Sequence, residues 1–309
     1  MNIGFVGLGT MGTPIVLNLL KRGFSVKVYS AHMDSPNVGT VVREGAAAVS
    51  SPREVAKGSE IVLMCLPRAE VSESVVFGKR GILAGSGPGT IIVEMSTVPP
   101  STVVKIGRVA GRKRVKVLDA PISGGRVGAE LGSLTIMIGG ERAVFEKCLP
   151  VFKAVGKNIY HVGGLGSGET IKLINGMMGN ANLLAALEGL ELASRAKIDL
   201  KSIQRIISTS TGQSWTWDTL IPRILDAKSV GVKIEVLQKD IGYALALAKE
   251  LGSDAKMTKE VSSMLEELRE RRGGSIDISA AYPFLRKAGR KAKAGGEPVL
   301  PTGSTTSGS

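Results

Sequence analysis

The stretch "NIGFVGLGTMGTP", residues 2–14, constrains the fold of this chain more than any other. An apolar run, Ile3–Val6, passes without a break into a loop with Gly7, Gly9 and Gly12 at G-x-G-x-x-G spacing, and then into a helical pattern beginning near Pro14. That order fits a buried parallel strand, a tight turn and a helix whose first N–H groups face the turn. Gly7 permits the turn, Gly9 lets backbone approach a pyrophosphate, and Gly12 allows close packing of helix on strand. The helix N-terminus adds free donors and the positive end of a dipole. The residues point to a dinucleotide site at the start of the chain.

The segments that follow repeat the strand-then-helix rhythm. Strands are expected at Ser25–Tyr29, Ile61–Leu66, Thr90–Glu94, Val115–Asp119, Thr135–Ile138 and Asn158–Val162, most followed by Gly, Pro, Ser or Thr and a helical pattern. Such alternation predicts a parallel sheet with crossover helices, a Rossmann-type α/β domain. From Gly166 the pattern becomes helix after helix: Glu169–Ala196, Leu200–Ser208, a segment around Trp217–Leu225, Lys233–Leu251, Met257–Arg271 and Ile278–Arg290. The expected division is a nucleotide-binding domain over 1–163, an all-α domain over 164–288 entered through a long helix, and a disordered tail over 289–309. That tail is rich in Gly, Ser, Thr and Pro and poor in large apolar groups.

Length and composition agree with two cores. A chain of 309 residues exceeds one ordinary hydrophobic core, and with 4% aromatic residues and 40 glycines its interior must be built from small aliphatic side chains. Cys65 and Cys148 form no disulfide framework and no metal-ligand spacing, and read as buried small hydrophobes. No apolar run reaches the ~18 residues that a membrane span needs, and no leader pattern precedes the first strand, so a soluble, cytoplasmic protein is expected. A net charge of +13 favours anionic ligands. Its densest runs, Arg112 to Lys116 and Arg286 to Lys293, lack interleaved aromatics and read as solvated charge rather than as a nucleic-acid surface.

The residue closing the second strand selects the cofactor. Asp or Glu there bonds the ribose hydroxyl of NAD, whereas neutral or basic groups admit the extra phosphate of NADP. This chain has Ser30, Ala31 and His32, with Asp34 close by. Ser30 and His32 can both donate to a phosphate, so NADP is favoured over NAD, although His32 reads equally well as a surface histidine.

Five further stretches join the glycine loop: "CLPRAEV" at Cys65–Val71, "EMSTVPP" at Glu94–Pro100, "DAPISGGRVGAELGSLTIMIGG" at Asp119–Gly140, "GSGETIKLIN" from Gly166, and "LQKD" at Leu237–Asp240. In this order they resemble the β-hydroxyacid dehydrogenase family, over roughly residues 1–286. The resemblance implies a Rossmann domain joined by a long helix to an all-helical domain, with the active site between them. It implies contacts to the cofactor from Gly7, Leu8, Gly9, Thr10, Met11, Gly12, Leu66, Pro67, Ser96, Thr97 and Lys239, the last paired with Asp240. Ser123, Gly124 and Gly125 match the motif holding the substrate carboxylate and hydroxyl, Lys172 the catalytic lysine, and Asn175 the substrate-binding amide. Trp215 opens "WTWDTLIP" and matches a tryptophan of 3-hydroxyisobutyrate dehydrogenases that faces the substrate pocket; core packing is the competing reading for it and for Trp217. Leu220 and Gly176 depart from the common pattern, which suggests a less polar substrate pocket.

The chemistry of the residues points the same way. An S-G-G loop offers a hydroxyl and unshielded amides to an anion. Lys172 and Asn175, three apart, share one helix face with Gly176, Gly179 and Asn182, a face suited to lining a cleft. Hydride transfer to an aldehyde leaves an oxygen that needs a proton, and a partly desolvated lysine has a pKa suited to giving one. The expectation is an NAD(P)-dependent oxidoreductase of small 3-hydroxy acids or semialdehydes, active as a homodimer or homotetramer, with Lys172 as general acid/base and no metal. The alternative is a non-catalytic nucleotide-binding module that contacts nucleic acid through the basic tail; relatives of that type lack the lysine.

Overall fold

Residues along the central strands alternate between two separate cores, which places the sheet in the middle of a layered domain. Ile61 and Leu63 pack into one cluster with Ile3, Phe5, Ile91 and Val93, while Val62 and Met64 pack into the other with Ile92 and Val117. Strands buried on both faces are what a parallel sheet flanked by helices requires. The computed structural model describes residues 1–281, in two compact units. The first comprises Met1–Met178 with Val236–Met264, and the second Gly179–Glu235 with the described residues from Leu265 onward.

In chain order the elements begin β1 (Asn2–Val6), α1 (Gly12–Lys21), β2 (Ser25–Tyr29), α2 (Pro36–Arg43), β3 (Ala47–Ala48), α3 (Pro52–Ala56) and β4 (Ile61–Met64). They continue with α4 (Ala69–Phe77), α5 (Ile82–Gly85), β5 (Ile91–Glu94), α6 (Pro100–Gly111), β6 (Lys116–Asp119), β7 (Ile122–Ser123), α7 (Gly125–Glu130), β8 (Leu134–Gly139), α8 (Arg142–Val155) and β9 (Gly156–Gly163). The sheet order is β3-β2-β1-β4-β5-β6-β8-β7, with β9 paired to β8. Its first six strands run parallel in the order of a Rossmann fold, and the order in which strands are added reverses between β1 and β4, where such sheets bind ligands.

The rest is helical: α9 (Ser167–Arg195), α10 (Leu200–Ile207), α11 (Trp215–Thr219), α12 (Ile221–Leu225), α13 (Ile234–Glu250), α14 (Lys256–Arg272) and α15 (Ile278–Ala281). The fold is therefore the expected Rossmann-type domain followed by an all-α region, with the 29-residue α9 leading out of the first unit. In the second unit the Asp199 carboxylate caps α10 by accepting from Ser202 N–H at 2.7 Å. There too the buried Trp217 donates its indole N–H to Gln204 O at 3.0 Å. No helix among the described residues is long and apolar enough to cross a membrane.

Several boundaries differ from the sequence reading for identifiable reasons. The strand expected to reach Leu66 stops at Met64, because the Leu66 N–H turns away to the Ser96 hydroxyl at 2.7 Å. β3 and β7 have two residues each, too few to show an alternating pattern. The segment around Trp217–Leu225 divides into α11 and α12, with Pro222 in the first turn of the second, where its missing N–H is harmless. The helix expected to run to Arg290, the basic run Arg286 to Lys293 and the 289–309 tail extend beyond the described residues.

One buried carboxylate sets the start of α9. Asp119, at the end of β6, accepts from Gly166 N–H through Oδ1 and from Glu169 N–H through Oδ2, both at 2.8 Å. It caps the helix in trans with a full negative charge at the positive end of the dipole. Glycine is required beside it: a Cβ at Gly168 would overlap Met137 O and stand 2.8 Å from Asp119 Oδ2. Asp119→Ala leaves two buried N–H groups without an acceptor, so we expect urea denaturation to show a loss of about 2–5 kcal/mol.

Candidate active site

The glycine loop separates into two glycines that the protein needs and one that it does not. Gly7 has φ +104°, and a Cβ there would overlap Cys65 O; a Cβ at Gly12 would overlap Gly7 O. A Cβ added at Gly9 would meet nothing within 4 Å. The backbone at Gly9 therefore faces open space, as a pyrophosphate-binding position must. Behind it, α1 begins at Gly12 without a side-chain cap; within its first turn Thr13 N–H is held by Gly9 O at 3.1 Å and Pro14 has no N–H. The cradle fits a dinucleotide phosphate. Leu8 is buried, Thr10 is exposed and Met11 half-buried, and Asn37 holds the loop by donating to Leu8 O at 2.8 Å.

At the end of β2, Ser30 is buried and His32 exposed. The Ser30 hydroxyl oxygen accepts from His32 N–H at 3.3 Å, which leaves its own O–H free to donate. Past β4, Leu66 is half-buried and Pro67 exposed. Past β5, Ser96 is buried and Thr97 half-buried. These loops all leave the C-terminal ends of neighbouring parallel strands.

Three successive residues of the loop after β5 are each held by an ionisable side chain. Glu94 Oε1 accepts from Ser96 N–H at 2.9 Å and from the Ser96 hydroxyl. Lys239 on α13 donates to Thr97 O at 3.1 Å. Glu169 on α9 accepts from Val98 N–H at 3.2 Å. Lys239 also ion-pairs with Asp240 at 2.9 Å and lies 5.2 Å from the centre of the Tyr243 ring, while the Tyr243 hydroxyl accepts from Ala69 N–H at 3.2 Å. Helix α13 thereby grips the loops after β4 and β5 together.

Lys172 lies on α9 one turn beyond Glu169. It is half-buried, and its ammonium makes no hydrogen bond or ion pair with another described residue. Burial lowers its pKa below the ordinary 10.5, Asp240 and Glu169 oppose that shift, and Lys239 reinforces it. Asn175 follows on the same face and is exposed. Beneath them burial raises the pKa of Glu169 well above the carboxylate range, reinforced by Glu94 and Asp119 and opposed by Val98 N–H and Lys172. Burial also pushes the Cys65 thiol up to about 12, so that cysteine is an inert neighbour of Glu94.

Ser123 ends β7 opposite Thr135, and Gly124 and Gly125 turn the chain into α7 with φ of +125° and +61°. All three are at least partly accessible. In the second unit Trp215 is 59% exposed and Trp217 only 3%. Core packing therefore describes Trp217, whereas Trp215 presents its ring to solvent. The structure brings Ser96, Thr97, Lys172, Lys239 and Asp240 into one charged neighbourhood, and it adds residues that the sequence reading did not single out: Glu94, Asp119, Glu169 and Tyr243. The available signals were the carboxylates at the ends of β5 and β6 and the three-residue spacing of Glu169 and Lys172.

A Rossmann sheet with an open glycine cradle, together with a half-buried lysine that is unpaired among the described residues, defines a nicotinamide-dinucleotide-dependent oxidoreductase. Residues 2–163 match the model for the NAD binding domain of 6-phosphogluconate dehydrogenase. Residues 166–285 match that for the NAD-binding region of NADP-dependent 3-hydroxyisobutyrate dehydrogenase. The chain belongs to the β-hydroxyacid dehydrogenase family. It is 37% identical to 2-(hydroxymethyl)glutarate dehydrogenase of Eubacterium barkeri, over 96% of this chain and 99% of that one. With 2-hydroxy-3-oxopropionate reductase of Escherichia coli it shares 34% identity over 92% of this chain and 97% of the relative. The structure of Mycobacterium tuberculosis 3-hydroxyisobutyrate dehydrogenase with L-serine superposes with a TM-score of 0.82 at 25% identity, covering 92% and 99% of the two chains. These relatives lend no support to a nucleic-acid-binding module.

The two kinds of glycine should separate on substitution. We expect Gly9→Ala to leave the melting temperature unchanged while weakening NADPH binding at least about tenfold, because its Cβ enters only the space a pyrophosphate would take. Gly12→Ala should lower the melting temperature, read by calorimetry without nucleotide.

Proposed function

We propose that this chain oxidises small 3-hydroxy acids, or reduces the corresponding semialdehydes, with Lys172 as general acid/base. The single observation that carries the reading is the half-buried Lys172 ammonium, unpaired among the described residues and close enough to Asp240 and Glu169 to feel their charge. The names of the relatives support the substrate class. 2-(Hydroxymethyl)glutarate, 3-hydroxyisobutyrate and 2-hydroxy-3-oxopropionate all carry a carboxylate and, on the carbon beyond its neighbour, a hydroxyl or aldehyde.

In this reading the nucleotide lies along Gly7, Leu8, Gly9, Thr10, Met11 and Gly12, with Leu66, Pro67, Ser96, Thr97 and Lys239 flanking the nicotinamide end. A bound nicotinamide supplies or accepts the hydride. Ser123 and the amides of Gly124 and Gly125 hold the substrate carboxylate and hydroxyl, Asn175 orients them, and Trp215 faces the substrate side chain. In reduction Lys172 gives its proton to the substrate oxygen and is reprotonated from water; in oxidation neutral Lys172 takes the hydroxyl proton. NADP(H) is the preferred cofactor, supported by the free donor of Ser30, by His32 and by the lack of a carboxylate at the end of β2. The division into domains at 1–163 and 164–288, a homodimer or homotetramer, and a cytoplasmic setting complete the proposal on the strength of the family resemblance.

Lys172→Ala should reduce kcat about a hundred- to ten-thousandfold while NADPH still binds by fluorescence titration, the range that general acid/base catalysis contributes. Near-normal kcat would remove Lys172 from the mechanism. Because its pKa lies below 10.5, reduction should decline, and oxidation increase, as pH climbs through that lowered value. The substrate class is tested by turnover of NADPH and NADH with succinic, malonic, methylmalonic and tartronic semialdehydes and glyoxylate. Ser30→Asp should shift the NADPH/NADH preference toward NADH by about tenfold or more, as a carboxylate repels the extra phosphate.

A further inference from the structure

Helix α4 starts without a cap of its own. Arg68 occupies the N-cap position and makes no side-chain bond to the first turn, so the buried Ala69 N–H, which no carbonyl of the helix can reach, depends on a partner from elsewhere. That partner is the Tyr243 hydroxyl on α13, 174 positions along the chain, which accepts at 3.2 Å. The Tyr243 ring packs against the buried cluster of Ala69, Val98 and Val103, which Leu165 also covers. One side chain thus joins α13 to the start of α4 and to the loop after β5. Lys239 stands one turn earlier on the same face of α13. Its ammonium lies 5.2 Å from the centre of the Tyr243 ring, inside the ~6 Å over which an aromatic face attracts a cation. The same ammonium donates to Thr97 O at 3.1 Å and pairs with Asp240 at 2.9 Å.

A long, flexible lysine can reach a carbonyl in many conformations, and the ring on one side with the carboxylate on the other leaves few of them. Tyr243 therefore acts on two loops at once. Its hydroxyl holds the end of the β4–α4 loop, which carries Leu66 and Pro67, and its ring acts through Lys239 on Thr97 in the β5–α6 loop. We propose that Tyr243 is a positioning residue for the nicotinamide half of the nucleotide, keeping both loops in place before the cofactor arrives. The inference rests on the reading of Leu66, Pro67, Thr97 and Lys239 as cofactor contacts. None of the contacts of Tyr243 described above involves Gly7 to Gly12, where the pyrophosphate is read to lie. Loops ordered in advance spare the binding step the entropy of ordering them, so the loss of Tyr243 weakens affinity for the part of the ligand those loops hold.

Intact cofactors and fragments without the nicotinamide separate this role from a general loss of structure. Titration calorimetry of the wild type, Tyr243→Phe and Tyr243→Leu would use NADPH and NADH beside 2′-phospho-ADP-ribose and ADP-ribose. Phenylalanine keeps the ring but gives Ala69 N–H no acceptor, and leucine removes the aromatic face as well. Affinity for the tighter-binding cofactor should fall about threefold or more in Tyr243→Phe and on the order of tenfold in Tyr243→Leu, while its fragment binds as it does to the wild type. In a Lys239→Ala background the two variants should bind cofactor equally, because the ring acts through that ammonium. No loss in either variant, an equal loss for cofactor and fragment, or a difference between Phe and Leu that persists without Lys239 overturns the proposal and leaves the proposed chemistry standing. A wild-type chain that binds neither cofactor overturns the reading of the nucleotide loops, and the role of Tyr243 with it. If Tyr243→Leu does not fold, the cofactor and fragment affinities of Tyr243→Phe decide the question alone.

Discussion

The contact between the Asp119 carboxylate and the first turn of α9 is the constraint on which the site depends. A strand end and a helix start could meet in many orientations, but two N–H groups sharing one carboxylate, with no room for a Cβ at Gly168, leave little freedom. The bond joins the C-terminal edge of the sheet, where the nucleotide loops emerge, to the helix that carries Lys172 and Asn175. Burying such a charge costs several kcal/mol unless its donors are in place, so the arrangement is held by the penalty for losing it as much as by the bonds themselves.

Around this anchor the first unit assembles a compact charge system. Lys239 reaches across to Thr97 O and pairs with Asp240, and Asp240 in turn acts on Lys172. The catalytic candidate is therefore steadied by field rather than by contact: among the described residues its ammonium stays unpaired, while neighbouring charges oppose the desolvation that lowers its pKa. A direct ion pair would hold the proton too tightly for transfer in either direction. The acids Glu94 and Glu169 belong to the same system, one at the end of β5 and the other one turn before the lysine.

Much of this was legible in the residue order. The G-x-G-x-x-G loop, the alternation of strands and helices, and the change to continuous helix after Gly166 all rest on local rules, and the strands at Ser25–Tyr29 and Lys116–Asp119 fall at or within one residue of expectation. The divergences also have local causes. Two-residue strands carry no period, and Leu66 leaves its strand for a hydroxyl thirty positions away. Glu94, Asp119, Glu169 and Tyr243 were not singled out because isolated acids and a tyrosine in apolar runs look like ordinary surface or core residues until their partners are known.

The sequence by itself determined the class of fold and the glycine loop that opens it, because glycine spacing, apolar period and motif order act over a few neighbouring residues. Only the tertiary structure decided which glycine faces open space, which tryptophan is buried, and which acids stand under Lys172. Those depend on distances between residues far apart in sequence, such as Asp119 and Glu169 or Thr97 and Lys239. Electrostatic coupling falls with distance in space, and the order of residues along a chain does not contain that distance.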